Sequence, residues 1–198
     1  MTDDFDPFYQ PHLILCFSEC GYRHLDTAKR YGVESFLAQA IKDSQVDRGD
    51  IFLTTKLWPT DYGKNKTKMA ALESMKRLET DYLDLYMLHF PVCPSSIEKP
   101  KKVLHETWRE LELLLDEGRI RTIGVSNFQI PDLEDLMDSM EISSILPHVN
   151  QCEFHPYQNQ KELIQFCHDN KIQFGGFCPL AKGNSYCNSI KLPKHLIG

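Results

Sequence analysis

The chain has 198 residues, of which 41% are hydrophobic and 25% charged, an ordinary balance for a globular domain and not that of a disordered, collagenous or membrane-bundle chain. Twenty-two basic side chains stand against 28 acidic ones, a net charge of −6. Without a cationic excess to neutralise phosphates, a nucleic-acid partner and an anionic membrane surface are both disfavoured.

No apolar run is long enough for a bilayer span. The acidic opening, Met1 to Asp6, lacks the basic region of a secretory leader. Seven scattered cysteines with no C-x-x-C pattern fit free thiols in a reducing cytosol. Cys16, Cys20 and His24 fall four apart but lack a fourth ligand at normal spacing, so no metal is expected.

Residues 1–20 read as an irregular N-terminal segment, and a regular rhythm begins at residue 21. Tyr22 to Thr27 reads as a short strand. Gly32 to Lys42 reads as a helix with Val33, Phe36, Leu37, Ala40 and Ile41 on one face. Ile51 to Leu57 is a strand. Lys66 to Glu79 is a helix whose expected stripe is Met69, Leu72, Met75 and Leu78. Leu83 to Phe90 is a nearly continuous apolar run, as in a strand covered on both faces.

Pro100 to Glu117 follows as a helix with Leu104, Trp108, Leu111 and Leu115 on one side, closed by Gly118. Then come a strand over Arg121 to Ser126 and a helix over Pro131 to Met140. His148 to Phe154 is a strand, Gln160 to Asn170 a helix and Ile172 to Phe177 a strand. Residues 182–198 carry no pattern. Six strands alternating with five helices predict βα units on a parallel sheet. No glycine-rich phosphate fingerprint follows a strand, so a (β/α)8 barrel is favoured over an open nucleotide-binding sheet. A full barrel takes about 250 residues, so this one is expected to be incomplete, with about six parallel strands and some two strands' worth of chain missing.

In a barrel, chemistry gathers at the C-terminal ends of the strands. The first strand ends at Asp26, the second reaches Lys56, and the third reaches His89. Tyr31 lies in the loop after the first strand. A phenol can protonate an oxygen, and a nearby ammonium lowers its pKa. A carboxylate holds the ammonium in place, and an imidazole orients a carbonyl oxygen. The plainer alternative is a structural Asp26–Lys56 ion pair beside a satisfied core histidine. Ser126, Asn127, Asn150 and Gln151 place hydroxyl and amide groups where a carboxamide could be gripped, and Phe177 offers a face to a flat ring. Lys56 as a Schiff-base residue is disfavoured, because an adjacent aspartate keeps it charged.

Several stretches resemble the aldo-keto reductase family. They are Gly21-Tyr-Arg-His-Leu-Asp26-Thr-Ala-x-x-Tyr31, Thr54-Thr-Lys56-Leu-Trp58, Leu83-Asp-Leu-Tyr-Met-Leu-His89-Phe-Pro91 and Ile123-Gly-Val-Ser126-Asn127-Phe128. They continue with Asn150-Gln151-x-Glu153-x-His155-Pro-Tyr157 and Phe177-Cys-Pro-Leu180. The resemblance covers residues 21–181 and implies a barrel domain that reduces aldehydes or ketones to alcohols with NADPH. By position, Tyr31 would donate the proton, Lys56 and Asp26 would tune it, and His89 would orient the substrate. Asp26 would also lie near the nicotinamide ribose. Ser126, Asn127 and Gln151 would hold the carboxamide, Phe177 would stack on the nicotinamide, and Trp58 and Phe90 would line the substrate side.

The chain departs from the family pattern in three places. Residues 1–20 lack the usual opening hairpin and glycine-rich first strand. Phe177-Cys178 stands where Tyr-Ser is usual. The chain ends at Gly198 before the basic and hydroxyl groups that clamp the adenosine phosphate, and Lys191 and Lys194 are poor substitutes. A catalytically impaired truncated isoform, or a binding pseudo-enzyme, is therefore the alternative expectation. The partner expected is a small-molecule carbonyl compound; the sequence does not specify an oligomeric state.

Overall fold

The structure is a computed structural model that describes residues 16, 19–94, 99–138 and 145–181. Most of the N-terminal segment and the whole 182–198 tail, with Lys191 and Lys194, lie outside the described residues.

Among the described residues, six strands form one parallel sheet in chain order: β1 (His24–Asp26), β2 (Phe52–Leu57), β3 (Leu83–Leu88), β4 (Ile120–Ser126), β5 (Val149–Glu153) and β6 (Gln173–Phe177). Five helices alternate with them: α1 (Glu34–Ser44), α2 (Lys66–Arg77), α3 (Pro100–Asp116), α4 (Ile130–Asp138) and α5 (Lys161–Asp169). The expected sequence of elements is thus present, with ends shifted by one or two residues. Three single 3-10 turns, Lys29–Tyr31, Arg48–Asp50 and Pro59–Asp61, were not foreseen.

The two faces of the sheet carry different side chains because strand residues alternate. Leu25, Leu53, Leu57, Tyr86, Leu88, Ile123, Val125 and Cys152 join one continuous apolar core with Leu37, Met75, Trp108, Leu111, Leu133 and Leu163 of the helices. Asp26, Lys56, Met87, Gly124, Gln151 and Gly175 occupy the other register and face away from the helices. The sheet curls around that second face. The Gln151 amide on β5 donates to Asp26 Oδ2 on β1 at 2.7 Å. Four steps across a flat sheet would separate those strands by about 19 Å, so only a barrel-like curl allows the bond. Gly124 lets its neighbours crowd in on this face, since a Cβ there would sit 2.8 Å from the Val149 carbonyl and 3.2 Å from Met87.

Two sequence expectations fail on packing. Val33 precedes α1 and is exposed, whereas Glu34, Leu37, Ala38 and Ala40 are buried. On α2 the expected stripe is half wrong. Met69 and Leu72 are exposed, while Thr67, Ala70, Ala71, Ser74 and Met75 are buried. A helix lying close on a sheet needs small residues at the contact, and a reading that weights large apolar side chains misplaces its face. The buried Glu34 carboxylate is fully engaged by Thr55 Oγ1 at 2.7 Å, Ser74 Oγ at 3.4 Å and Arg77 at 2.7 Å. This polar knot joins α1, α2 and β2 where periodicity anticipated only apolar contact.

Candidate active site

The strand ends deliver the chemistry. Asp26 closes β1, Lys56 is the penultimate residue of β2, His89 follows β3 and Asn127 follows β4. Gln151 sits within β5 and Phe177 ends β6. Tyr31 ends the Lys29–Tyr31 turn, which Gly32 terminates at φ 71°, a left-handed geometry suited to glycine. A cavity of about 640 Å³ is lined by Asp26, Tyr31, Lys56, His89, Phe90, Ser126, Asn127, Gln151 and Phe177. Of the site residues expected from the sequence, all line it but Trp58 and Asn150; alternation along β5 turns the Asn150 amide to the helix side, where it is buried and donates to the Phe128 carbonyl at 3.0 Å. The Trp58 indole stands beside the cavity, its centroid 5.2 Å from the His89 ring and 5.7 Å from Phe90.

Lys56 is buried and donates to Asp26 Oδ1 and, at 3.1 Å, to the Thr27 carbonyl. Its ammonium lies 5.5 Å from the centre of the Tyr31 ring, and no hydrogen bond joins the two. Tyr31 is half exposed, with its ring edge-on to His89 at 5.7 Å.

The electrostatics correct one sequence expectation. Tyr31 is not pushed toward phenolate: partial burial, Asp26 and Cys178 all raise its pKa. Asp26 neutralises the lysine that would have lowered it. Burial lowers the Lys56 pKa, and the charge of Asp26 opposes that fall. Burial and then the Lys56 charge push His89 down to about 4, against a smaller opposing pull from Asp26. At neutral pH the site therefore presents a protonated phenol and a neutral imidazole. The His89 Nδ1 atom is buried without a hydrogen-bond partner.

The three groups expected to hold a carboxamide form a chain with one another. Ser126 Oγ donates to the Gln151 carbonyl at 2.8 Å. Asn127, left-handed at φ 65°, donates to the His89 carbonyl at 2.9 Å, and Gln151 donates to Asp26. Asn127 spends its second N–H on Ser126 Oγ at 3.2 Å, so the Asn127 and Gln151 amide oxygens and the second Gln151 N–H stay available. A flat ring bearing a carboxamide matches that donor and acceptor set above Phe177, so the residues fit the nicotinamide end of a dinucleotide.

Four residues near the site were given no role there from the sequence. Glu153 lines the cavity two residues after Gln151, and the two-residue period of a strand would have found it. Cys178 lines it from a left-handed position at φ 53° after β6, which no sequence pattern announces. The buried Tyr62 hydroxyl donates to the Phe90 carbonyl at 2.7 Å and accepts from the Phe90 N–H at 3.3 Å, pinning the backbone just past His89. Arg30 lies over the Trp58 ring at 5.5 Å. Among the described residues no group of three or more His, Cys, Asp or Glu side chains is arranged to hold a metal ion, and no helix is long and apolar enough to cross a membrane.

The fold and the sequence are shared with known proteins. A model of the aldo/keto reductase family matches residues 6–186, and the chain belongs to that family. It is 46% identical over 176 residues to an uncharacterised oxidoreductase of Caenorhabditis elegans, covering 89% of this chain and 54% of that one. It is 43% identical over 170 residues to the glyoxal reductase of Bacillus subtilis, covering 86% and 58% respectively. Among solved structures, a Bombyx mori aldo-keto reductase in complex with NADP superposes with a TM-score of 0.77 at 31% identity, covering 90% of this chain and 59% of that one. The chain thus spans somewhat more than half the length of these relatives, and its six strands form an incomplete (β/α)8 barrel.

Proposed function

We propose that this protein is an oxidoreductase that reduces aldehydes or ketones to alcohols, using NADPH as hydride source and Tyr31 as proton donor. The observation that carries this reading is the convergence of Asp26 and Tyr31 from β1 and the turn after it, Lys56 from β2 and His89 from the end of β3 on one cavity that also holds the amide groups and Phe177. The glyoxal reductase relative and the relative solved with NADP support the substrate and cofactor classes.

Bound NADPH supplies a hydride to the carbonyl carbon. Ser126, Asn127 and Gln151 would hold its carboxamide, and Phe177 would support the ring. The neutral His89 donates an N–H to the carbonyl oxygen and fixes its direction. Tyr31 gives its proton to that oxygen as the carbon–oxygen double bond is reduced. The resulting phenolate is stabilised by the Lys56 ammonium, which Asp26 keeps in place. A phenol with a raised pKa keeps its proton until negative charge develops on the substrate oxygen. Free cysteines, six among the described residues, fit the reducing cytosol as its compartment.

The test is NADPH oxidation with methylglyoxal and with benzaldehyde, alongside NADPH binding by fluorescence. Turnover that depends on Tyr31 supports the reading. Cofactor binding without turnover, or turnover that survives Tyr31→Phe, overturns the assigned chemistry.

A further inference from the structure

Arg30 shares a single turn with Tyr31, yet it has no place in the chemistry above. Its guanidinium lies over the Trp58 indole, 5.5 Å from the ring centroid. That indole is edge-on to both His89 and Phe90, at 5.2 and 5.7 Å between centroids. The cation is therefore one aromatic ring removed from the imidazole that would orient a substrate carbonyl. Arg30 is exposed and, among the described residues, pairs with no carboxylate. The acids around this turn are taken by its neighbour: Lys29 holds Asp61 at 2.8 Å and Glu73 at 3.9 Å. Arg48, Arg77 and Arg121, by contrast, each bind a carboxylate.

A guanidinium held over a ring by cation–π attraction is braced without spending its N–H donors. The flat edge, with its N–H groups in a fixed fork, stays free for a planar two-oxygen anion. A lysine would hold a carboxylate only as a point charge. The carboxylates of the cavity are already engaged: Asp26 by Lys56, and Glu153 by the His155 imidazole at 3.2 Å. An anionic group on the substrate is thus favoured on the Trp58 side, where the Arg30 cation stands.

We propose that Arg30 is an anion-recognition residue at the mouth of the active site, selecting aldehydes and ketones that carry a carboxylate remote from the carbonyl. This rests on the carbonyl-reductase reading above and deepens it by naming the substrate class. The carbonyl points to Tyr31 and His89, the body of the substrate lies against Trp58, and the carboxylate reaches the Arg30 fork.

The experiment compares 4-carboxybenzaldehyde with its neutral analogue, methyl 4-formylbenzoate, on the full chain and on Arg30→Met and Arg30→Lys. The readout is the ratio of kcat/KM for the acid over the ester. Arg30→Met lowers that ratio about fivefold, the scale of one partly exposed charge pair, chiefly through KM for the acid. Arg30→Lys restores part of it, and raising salt erodes the wild-type preference. An unchanged ratio, with acid and ester affected alike, means that Arg30 merely braces Trp58 and overturns the proposal. If neither aldehyde is turned over by the wild type, the reductase reading fails by itself. Benzoate binding, followed by tryptophan emission, then decides: weakening in Arg30→Met sustains the anion site, and no change removes it.

Discussion

The two ends of this sheet hold similar charged groups in opposite circumstances. At the N-terminal end, the Asp84 carboxylate is buried and receives the Leu53 N–H at 3.0 Å, Arg48 at 2.8 Å and Arg121 at 3.0 Å. The same two guanidinium groups sandwich the Tyr82 ring, each 4.1 Å from its centroid. At the C-terminal end, Asp26 also holds a cation, but Tyr31 is half exposed, His89 Nδ1 has no partner, and a cavity opens beside them. One end satisfies its charges within the protein. The other leaves donors for something else. A carboxylate–cation pair therefore does not by itself mark a reactive site; unsatisfied neighbours and an adjoining cavity do.

The sharpest way to break this contrast is at Tyr31. Tyr31→Phe should lower kcat for carbonyl reduction by about 10³-fold, the usual scale of a lost general acid, with thermal stability nearly unchanged; an unfolded variant or full turnover would erase the distinction between the ends. Asp84→Ala should do the reverse. It orphans the Leu53 N–H and two guanidinium groups and should cost about 3–4 kcal/mol in denaturant unfolding, while NADPH affinity per folded molecule stays the same.

His89 links its end of the sheet to pH. Its folded-state pKa of about 4 lies below the unfolded value near 6.5. The unfolded chain therefore binds the proton more readily between those values. The stabilisation is complete above about pH 6.5 and is lost as pH falls toward 4, by up to about 3 kcal/mol. Urea midpoints measured across that window should fall on acidification, and His89→Gln should flatten the slope. The smallest effect is expected at Tyr62→Phe. Losing the hydroxyl that holds both polar groups of Phe90 should cost about 1–2 kcal/mol of stability and raise KM more than it lowers kcat, as measured in steady-state assays.

Much of the site was legible because its residues lie at strand ends, and strands announce themselves as short apolar runs broken by a polar group. Asp26, Lys56, His89, Gln151, Phe177 and the loop residue Tyr31 could be aligned without coordinates, and the family resemblance added Trp58 and Phe90. The buried faces were less legible. Met69 and Leu72 drew the eye on α2, yet Ala70, Ala71 and Ser74 make the contact, because close approach to a sheet rewards small volume over hydrophobicity. Cys178 was visible only as a departure from a motif and Arg30 not at all, since a left-handed turn and a cation–π contact depend on chain geometry beyond the local run.

By itself, the sequence determined the alternation of strands and helices, the parallel order and the identity of the strand-end groups, because all three follow from local periodicity and from which residues interrupt it. The tertiary structure alone decided how tightly the sheet curls, and hence that Gln151 reaches Asp26 across four strands. It also decided the charge balance at Tyr31, where Asp26 offsets the lysine that would have acidified the phenol. Distances between groups far apart in the chain set both outcomes, and Coulomb interactions and desolvation depend on those distances and not on sequence spacing.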